Sequence, residues 1–298
     1  MDTIGLCNLC PRECNVDRGL GKVGFCKVPN QIKVSRAALH FWEEPCISGA
    51  EGSGTVFFSG CNLRCVYCQN RKIAEGVYGK EITIDRLAAI FLELQKQGAN
   101  NINLVTPSHY VLQIIEALKR AKKQGLKLPI VYNSGAYEKV ETLKLLEGYV
   151  DVYLPDFKYM DSTLSSQYSG AADYSRVAKE AIGEMVRQIG TIEFNDKNIM
   201  TKGVIVRHLV LPGHTRDSKR IVEYLYKTYG NDIFISILSQ FTPVSGLENF
   251  PEINRKVTEE EYDKVVDYAI EIGVENGFIQ EGDVAKESFI PDFDGQGV

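Results

Sequence analysis

"TVFFSGCNLRCVYCQN", residues 55 to 70, sets a short apolar run, Thr55 to Phe58, against a loop that carries Cys61, Cys65 and Cys68. The run has the length and composition of a buried strand. The loop has the spacing C-x3-C-x2-C, and no fourth cysteine follows it. Thiolates are soft, strong ligands, and a compact loop can wrap several of them onto one zinc ion or one iron-sulfur cluster. A structural zinc site is closed by four ligands. Three ligands leave one position open, and an open position on a metal centre is where a substrate or cosubstrate binds.

Five further runs resemble the first: NINLVT (101–106), PIVYNS (129–134), DVYLPDF (151–157), GVIVRHLVL (203–211) and DIFISILSQF (232–241). They are nearly continuous in apolar and β-branched residues, as in parallel strands covered on both faces. Amphipathic helices lie between them. Thr83 opens one with Ile84, Leu87, Ile90, Phe91 and Leu94 on one face, and Gly98 stops it. Val111, Ile114, Ile115 and Leu118 mark the next, a longer helix is expected over about 173–190, and Thr258 with Glu261 forms a capping box. Six βα units in this order predict an α/β fold, a partial (β/α)6 TIM-type barrel, with a doubly wound sheet as the rival. In a barrel the chemistry belongs at the C-terminal strand ends, and the first of these carries the three cysteines.

All eight cysteines lie in the first quarter of the 298 residues. That shift, with the Gly-rich stretch Ser48 to Gly54, places a boundary near residue 50: a cysteine-rich segment 1–50 and a barrel 51–298. "CNLCPRECNVDRGLGKVGFC" spaces Cys7, Cys10, Cys14 and Cys26 as C-x2-C-x3-C-x11-C, a complete set of four for a closed metal site. Zinc, mononuclear iron and an auxiliary iron-sulfur cluster all suit it. The segment is too short to build a core, so a metal would supply its folding energy. Cys46 has no partner in this scheme and reads as a buried structural thiol.

A net charge of -5 and an isoelectric point near 5.6 argue against general binding to nucleic acid or anionic membranes. The basic cluster Lys119, Arg120, Lys122 and Lys123 sits at a helix C-terminus, which it complements. No apolar stretch approaches the ~20 residues of a membrane span. MDTIGLCNLC has neither a basic n-region nor an apolar h-region, so a cytoplasmic location is expected, with reduced cysteines.

At Cys61, Cys65, Tyr67 and Cys68 the chain resembles the radical S-adenosylmethionine (SAM) superfamily, whose signature is C-x3-C-x-aromatic-C after the first barrel strand. The resemblance implies a [4Fe-4S] cluster held by the three cysteines, with SAM chelating its fourth iron. It implies cleavage of SAM to methionine and a 5′-deoxyadenosyl radical that abstracts hydrogen from a substrate. A low-potential electron donor of the flavodoxin or ferredoxin type is implied as well. Along the barrel the chain looks most like the pyruvate formate-lyase-activating-enzyme branch, in particular activating-enzyme-like proteins with an added cysteine-rich N-terminus. Asp156 and Lys158 resemble the D-x-K that closes over SAM there. Arg207 falls in a segment resembling R-x-V-x-P-G, with Leu209 near the adenosyl group. Asn133 and Ser134 occupy the strand end where the ribose hydroxyls are held. Thr106, in Val105-Thr106-Pro107-Ser108, stands where the superfamily has Gly-Gly-Glu for the SAM amino group.

One departure bears on the substrate. Glycyl-radical activating enzymes carry D-G-P-G-x-R before the first strand, where this chain has Gly49-Ala50-Glu51-Gly52-Ser53-Gly54. The substrate is then a protein, a glycyl radical enzyme among the candidates, or a small molecule. A two-cluster electron carrier without SAM chemistry is the competing reading, but a carrier needs four protein ligands per cluster and no barrel of this size. Among single residues, His109 reads as a substrate contact or a helix cap, and His40 and His208 as packing residues. His214 reads as exposed loop, Trp42 as packing between the two domains, Tyr132 and Tyr153 as core, and Asp292 and Asp294 as a surface tail.

Overall fold

A computed structural model describes residues 6–280 and 291–298. Residues 1–5 and 281–290, parts of the two expected domains, lie outside the described residues. The strands are β1 (Ile32–His40), β2 (Ser53–Phe58), β3 (Lys80–Ile82), β4 (Ile102–Val105), β5 (Ile130–Ser134), β6 (Val152–Pro155), β7 (Glu193–Phe194), β8 (Met200–Leu209), β9 (Phe234–Leu238) and β10 (Gly277–Ile279). The helices are α1 (Pro45–Ser48), α2 (Arg71–Ala74), α3 (Ile84–Lys96), α4 (Val111–Lys123), α5 (Val140–Lys144), α6 (Ser162–Ser169), α7 (Tyr174–Ile189), α8 (Thr215–Tyr229) and α9 (Glu259–Glu271).

The sheet runs β10-β9-β8-β6-β5-β4-β2-β1-β3, with β7 beside β8. From β2 to β10 every neighbouring pair along this path is parallel. The parallel strands follow chain order without a reversal, which is how a barrel winds; a doubly wound sheet reverses at its switch point. Among the described residues no pairing joins β10 to β3, and the barrel they form is partial. The six expected strands are present, and β10 adds a seventh parallel one.

β1 and β3 extend the far edge antiparallel. β1 lies before residue 50 yet pairs with β2 from Val34↔Phe58 to His40↔Ser53, so sheet and cysteine-bearing loops share the first 50 residues.

Strand residues alternate between two faces. Phe58, Leu104, Tyr132, Tyr153, Val206 and Ile237 face outward into the layer shared with the helices. Helix α3 covers Phe58 and Leu104 with Leu87, Ile90, Phe91 and Leu94, and α4 with Ile114, Ala117 and Leu118. Each such burial contributes about 1.5–3 kcal/mol. Thr83, Asp161 and Thr258 cap α3, α6 and α9, and the Thr258–Glu261 capping box is complete. The inner face is different. At its base Cys46 and Ile47 of α1 plug the interior against Val131, Val152, Leu154, Met200 and Ile205. Higher up the inward residues turn polar: Asn133, Arg207 and Ser236.

Candidate active site

The interior opens into a cavity of about 510 Å3 at the C-terminal strand ends. Its apolar wall includes Phe57, Val105, Leu209, Leu238 and Phe241, and its floor carries Asn133, Asp156, Lys158, Arg207 and Ser236. Cys65, Tyr67 and Cys68 line it from the cysteine loop. A volume of this order is typical of small-molecule and cofactor sites.

The loop follows β2 directly. Each sulfur has a donor: Cys61 Sγ accepts from Leu63 N–H at 3.3 Å, Cys65 Sγ from the Ser169 hydroxyl at 2.9 Å, and Cys68 from the Asn70 backbone N–H. Burial, and then the neighbouring cysteines, push the Cys61 thiol up, while burial and Cys65 push Cys68 up to about 12. Without a metal Cys61 and Cys68 are neutral thiols. Among the described residues no three His, Cys, Asp or Glu side chains already converge at metal-ligand distance. The donor set nevertheless fits a cluster: three sulfurs from one loop, each with a donor suited to a thiolate, beside a cavity with room for a cosubstrate. Tyr67 packs on Phe241 at 5.7 Å between ring centroids, and its hydroxyl accepts from Tyr159 at 2.6 Å.

Across the cavity lies a charged network. Arg207 donates from Nε to Asp156 at 2.8 Å, from Nη1 to Glu43 at 2.8 Å and from Nη2 to Asn133 Oδ1 at 2.7 Å. Lys158 Nζ stands 2.7 Å from the other Asp156 oxygen. Burial alone would raise the Asp156 carboxyl, but Arg207 and Lys158 outweigh it and hold the group below its ordinary value. Burial would depress Lys158, but Asp156 and Cys65 hold it charged. Its ammonium therefore faces the cysteine loop as an ionised group.

Glu43 and Glu44, which lie between β1 and α1, were not legible as site residues. Glu43 reaches inside the barrel and also accepts from Asn103 Nδ2 at 3.0 Å and Asn133 Nδ2 at 3.2 Å. Glu44 is buried beside it, its carboxyl pushed up chiefly by burial, with Oε2 unpartnered. No spacing rule links an acid pair near residue 43 to an arginine at 207.

Asn133, Asp156, Lys158, Arg207 and Leu209 thus meet the cysteine loop around one cavity. Thr106 and Ser134 do not line it. Thr106 turns the chain at φ +58° with its N–H on Asn133 O, and the Ser134 hydroxyl accepts from Ala136 N–H at 3.3 Å. Cys61 lies just behind the lining, next to Cys65 and Cys68.

His208 is a packing residue, bonded to Phe157 O and the Ser218 hydroxyl, and Tyr132 and Tyr153 are core. His214, expected on an exposed loop, is half-buried with Nε2 at 2.9 Å from the Tyr168 hydroxyl, because α6 packs over it. Trp42 is 56% exposed at the cavity rim, too open to fill an interdomain seam. His40 is half-buried edge-on to Phe57. Asp294 pairs with Arg36 at 3.0 Å, which ties the tail to β1.

The N-terminal cysteines gather separately. Cys7, Cys10, Cys14 and Cys26 surround a cavity of about 10 Å3. Arg12 fastens this segment to the cluster loop: its guanidinium donates to Asn62 O at 2.9 Å and stacks 3.8 Å above Phe25, with Arg64 at 4.0 Å from the same ring. Gly60 makes the close approach possible, since a Cβ there would stand 2.6 Å from Cys26 O at φ +89°.

The Radical SAM superfamily profile matches residues 55–225. An uncharacterized protein, MJ0674, of Methanocaldococcus jannaschii is 30% identical over 272 residues, 88% of this chain and 74% of that protein. The pyruvate formate-lyase-activating enzyme of Clostridium pasteurianum is 30% identical over 178 residues, 57% of this chain and 66% of the enzyme. Among solved structures, HydG, a maturase of the [FeFe]-hydrogenase, superposes with a TM-score of 0.52 at 17% identity, covering 80% of this chain and 53% of that one. The chain spans about half the length of such structures, which share its fold. The match over residues 55–225, anchored on the cysteine loop and the strand ends just described, places the chain in the radical SAM superfamily.

Proposed function

We propose that Cys61, Cys65 and Cys68 hold the [4Fe-4S] cluster of this radical SAM enzyme, and that SAM lies between them and Asn133, Asp156, Lys158, Arg207 and Leu209. The observation that carries this reading is the meeting of the three-cysteine loop and the charged strand-end network around one cavity. The cluster and SAM, when bound, supply the reductive cleavage that yields methionine and a 5′-deoxyadenosyl radical.

The chain's own residues bind, orient and exclude water. Asp156, ionised by Arg207 and Lys158, presents a fixed negative charge toward the cavity, suited to an ammonium or sulfonium group. The Lys158 ammonium offsets the thiolates, and Asn133 offers an amide for hydroxyl groups. Phe57, Val105, Leu238 and Phe241 form an apolar wall, which strengthens these polar contacts by removing water. Tyr67, locked by Tyr159, fixes the loop between Cys65 and Cys68. Thr106 and Ser134 have no part in this arrangement.

The function is hydrogen abstraction from a protein or small-molecule substrate, with a low-potential flavodoxin- or ferredoxin-type donor. The name of the Clostridium relative points toward a glycyl radical protein, and Gly49 to Gly54, in place of D-G-P-G-x-R, points away from it. An electron carrier without SAM chemistry would leave the cavity and its network without use. We also propose a second metal at Cys7, Cys10, Cys14 and Cys26. Iron and sulfide analysis with SAM binding, on wild type and a variant with Cys61, Cys65 and Cys68 all replaced by alanine, tests the assignment. Loss of about four irons and of SAM binding in the variant is expected; unchanged iron overturns it.

A further inference from the structure

His109 does not face the large cavity. It follows β4 in a single turn of 3-10 helix, Ser108–Tyr110, and its ring lines the small cavity shared by the four N-terminal cysteines. The side chain is buried, 2% exposed. Nε2 stands 2.7 Å from the Ser59 carbonyl oxygen, which can only accept, so Nε2 carries the proton. Nδ1 then carries a lone pair, and it has no hydrogen-bond partner. A buried acceptor left unpaired is costly, so the position calls for a partner. Arg18 lines the same cavity. Arg18 also donates to the His109 carbonyl oxygen at 2.5 Å and so fixes the turn.

A neutral imidazole with one nitrogen free and the other N–H anchored on a backbone carbonyl is the arrangement found in metal-ligating histidines, where the carbonyl fixes tautomer and ring orientation. We propose that His109 Nδ1 is a ligand of a single divalent ion of the zinc type, held in this cavity together with thiolates of the N-terminal cysteines. The inference rests on the reading that those cysteines bind a metal, and it adds the donor from the barrel. The cavity is small, about 10 Å3, and a single ion suits it better than a cluster. With His109 as ligand, the metal joins two parts of the chain. The same ring that binds it holds Ser59 O, two residues before Cys61. The N-terminal site thereby buttresses the base of the cluster loop.

Zinc-edge X-ray absorption on the full chain, purified with zinc as the only added metal, tests this directly. One nitrogen at about 2.0–2.1 Å beside sulfurs at about 2.3 Å is expected, with one zinc per chain. In His109→Gln the nitrogen component should disappear and zinc affinity, measured by chelator competition, should fall tenfold or more. An all-sulfur shell overturns the role of His109 while leaving a four-cysteine site. Failure to retain zinc overturns the site itself. Iron with matching sulfide at these cysteines, in a variant lacking Cys61, Cys65 and Cys68, overturns the single ion.

Discussion

Replacing Arg207 with methionine keeps the bulk of the side chain and removes its charge. Three contacts are lost, to Glu43, Asp156 and Asn133, at 2.7–2.8 Å. Hydrogen bonds to charged groups are worth about 1.5–3 kcal/mol each, but Asp156 keeps Lys158, so the three do not add. The group left stranded is Glu43, only 9% exposed in its side chain, with Glu44 beside it. Breaking a buried pair from one side costs about 3–5 kcal/mol. For a chain of this size that lowers the melting temperature by roughly 5–8 °C. Adding Glu43→Gln removes the stranded charge and should restore about half of the loss. Asp156 supplies a pH signature. Its folded-state pKa lies below the ordinary value, so its contribution is present above that value and fades as pH falls through the folded one. The gap between wild type and Arg207→Met should therefore narrow on the acid side. Thermal melts of the metal-loaded protein at one scan rate measure all of this. A loss under about 1 kcal/mol, or a double variant as poor as the sum of the singles, would refute the reasoning.

Other outcomes follow from the same geometry. Cys65→Ala should abolish the SAM-binding cluster and leave the metal at Cys7, Cys10, Cys14 and Cys26 in place; equal iron and SAM binding would show that the ligands are misassigned. Asp156→Ala and Asn133→Ala should keep their iron and bind SAM about tenfold or more weakly, since each loses polar contacts of about 1.5 kcal/mol or more; titration calorimetry decides it, and wild-type affinity in both would remove SAM from the strand ends. Glu138, buried and bonded by Ser108 and Tyr132, has its carboxyl pushed up to about 7 by burial. The folded state therefore binds the extra proton, and this group makes stability fall as pH rises from about 4.5 to 7. Glu138→Gln should flatten that fall and gain on wild type at pH 8 by up to about 3 kcal/mol; parallel stability curves would show that the group ionises freely.

The parallel part of the fold was legible because its strands are buried on both faces and read as unbroken apolar runs. β1 was not, since IKVSRAALH mixes charged with apolar residues, as an antiparallel strand with one solvated face does. β10, three residues long, offers too little pattern to stand out. The cysteine loops declared themselves through spacing, a local property. The glutamates from the loop before α1 and the ring nitrogen of His109 acquire their roles only when distant strands bring Arg207 and the N-terminal cysteines against them. Ser134 sits at the expected strand end, yet its hydroxyl is used by the Ala136 turn, a local competition that residue identity alone does not reveal.

The central claim is that the loop and the strand ends together cleave SAM. Anaerobically reconstituted protein, given SAM and a strong reductant, is predicted to release 5′-deoxyadenosine and methionine in equal amounts, and the variant lacking Cys61, Cys65 and Cys68 is predicted to release none. A reduced cluster that binds SAM and yields no 5′-deoxyadenosine, with candidate substrates present, would contradict the account.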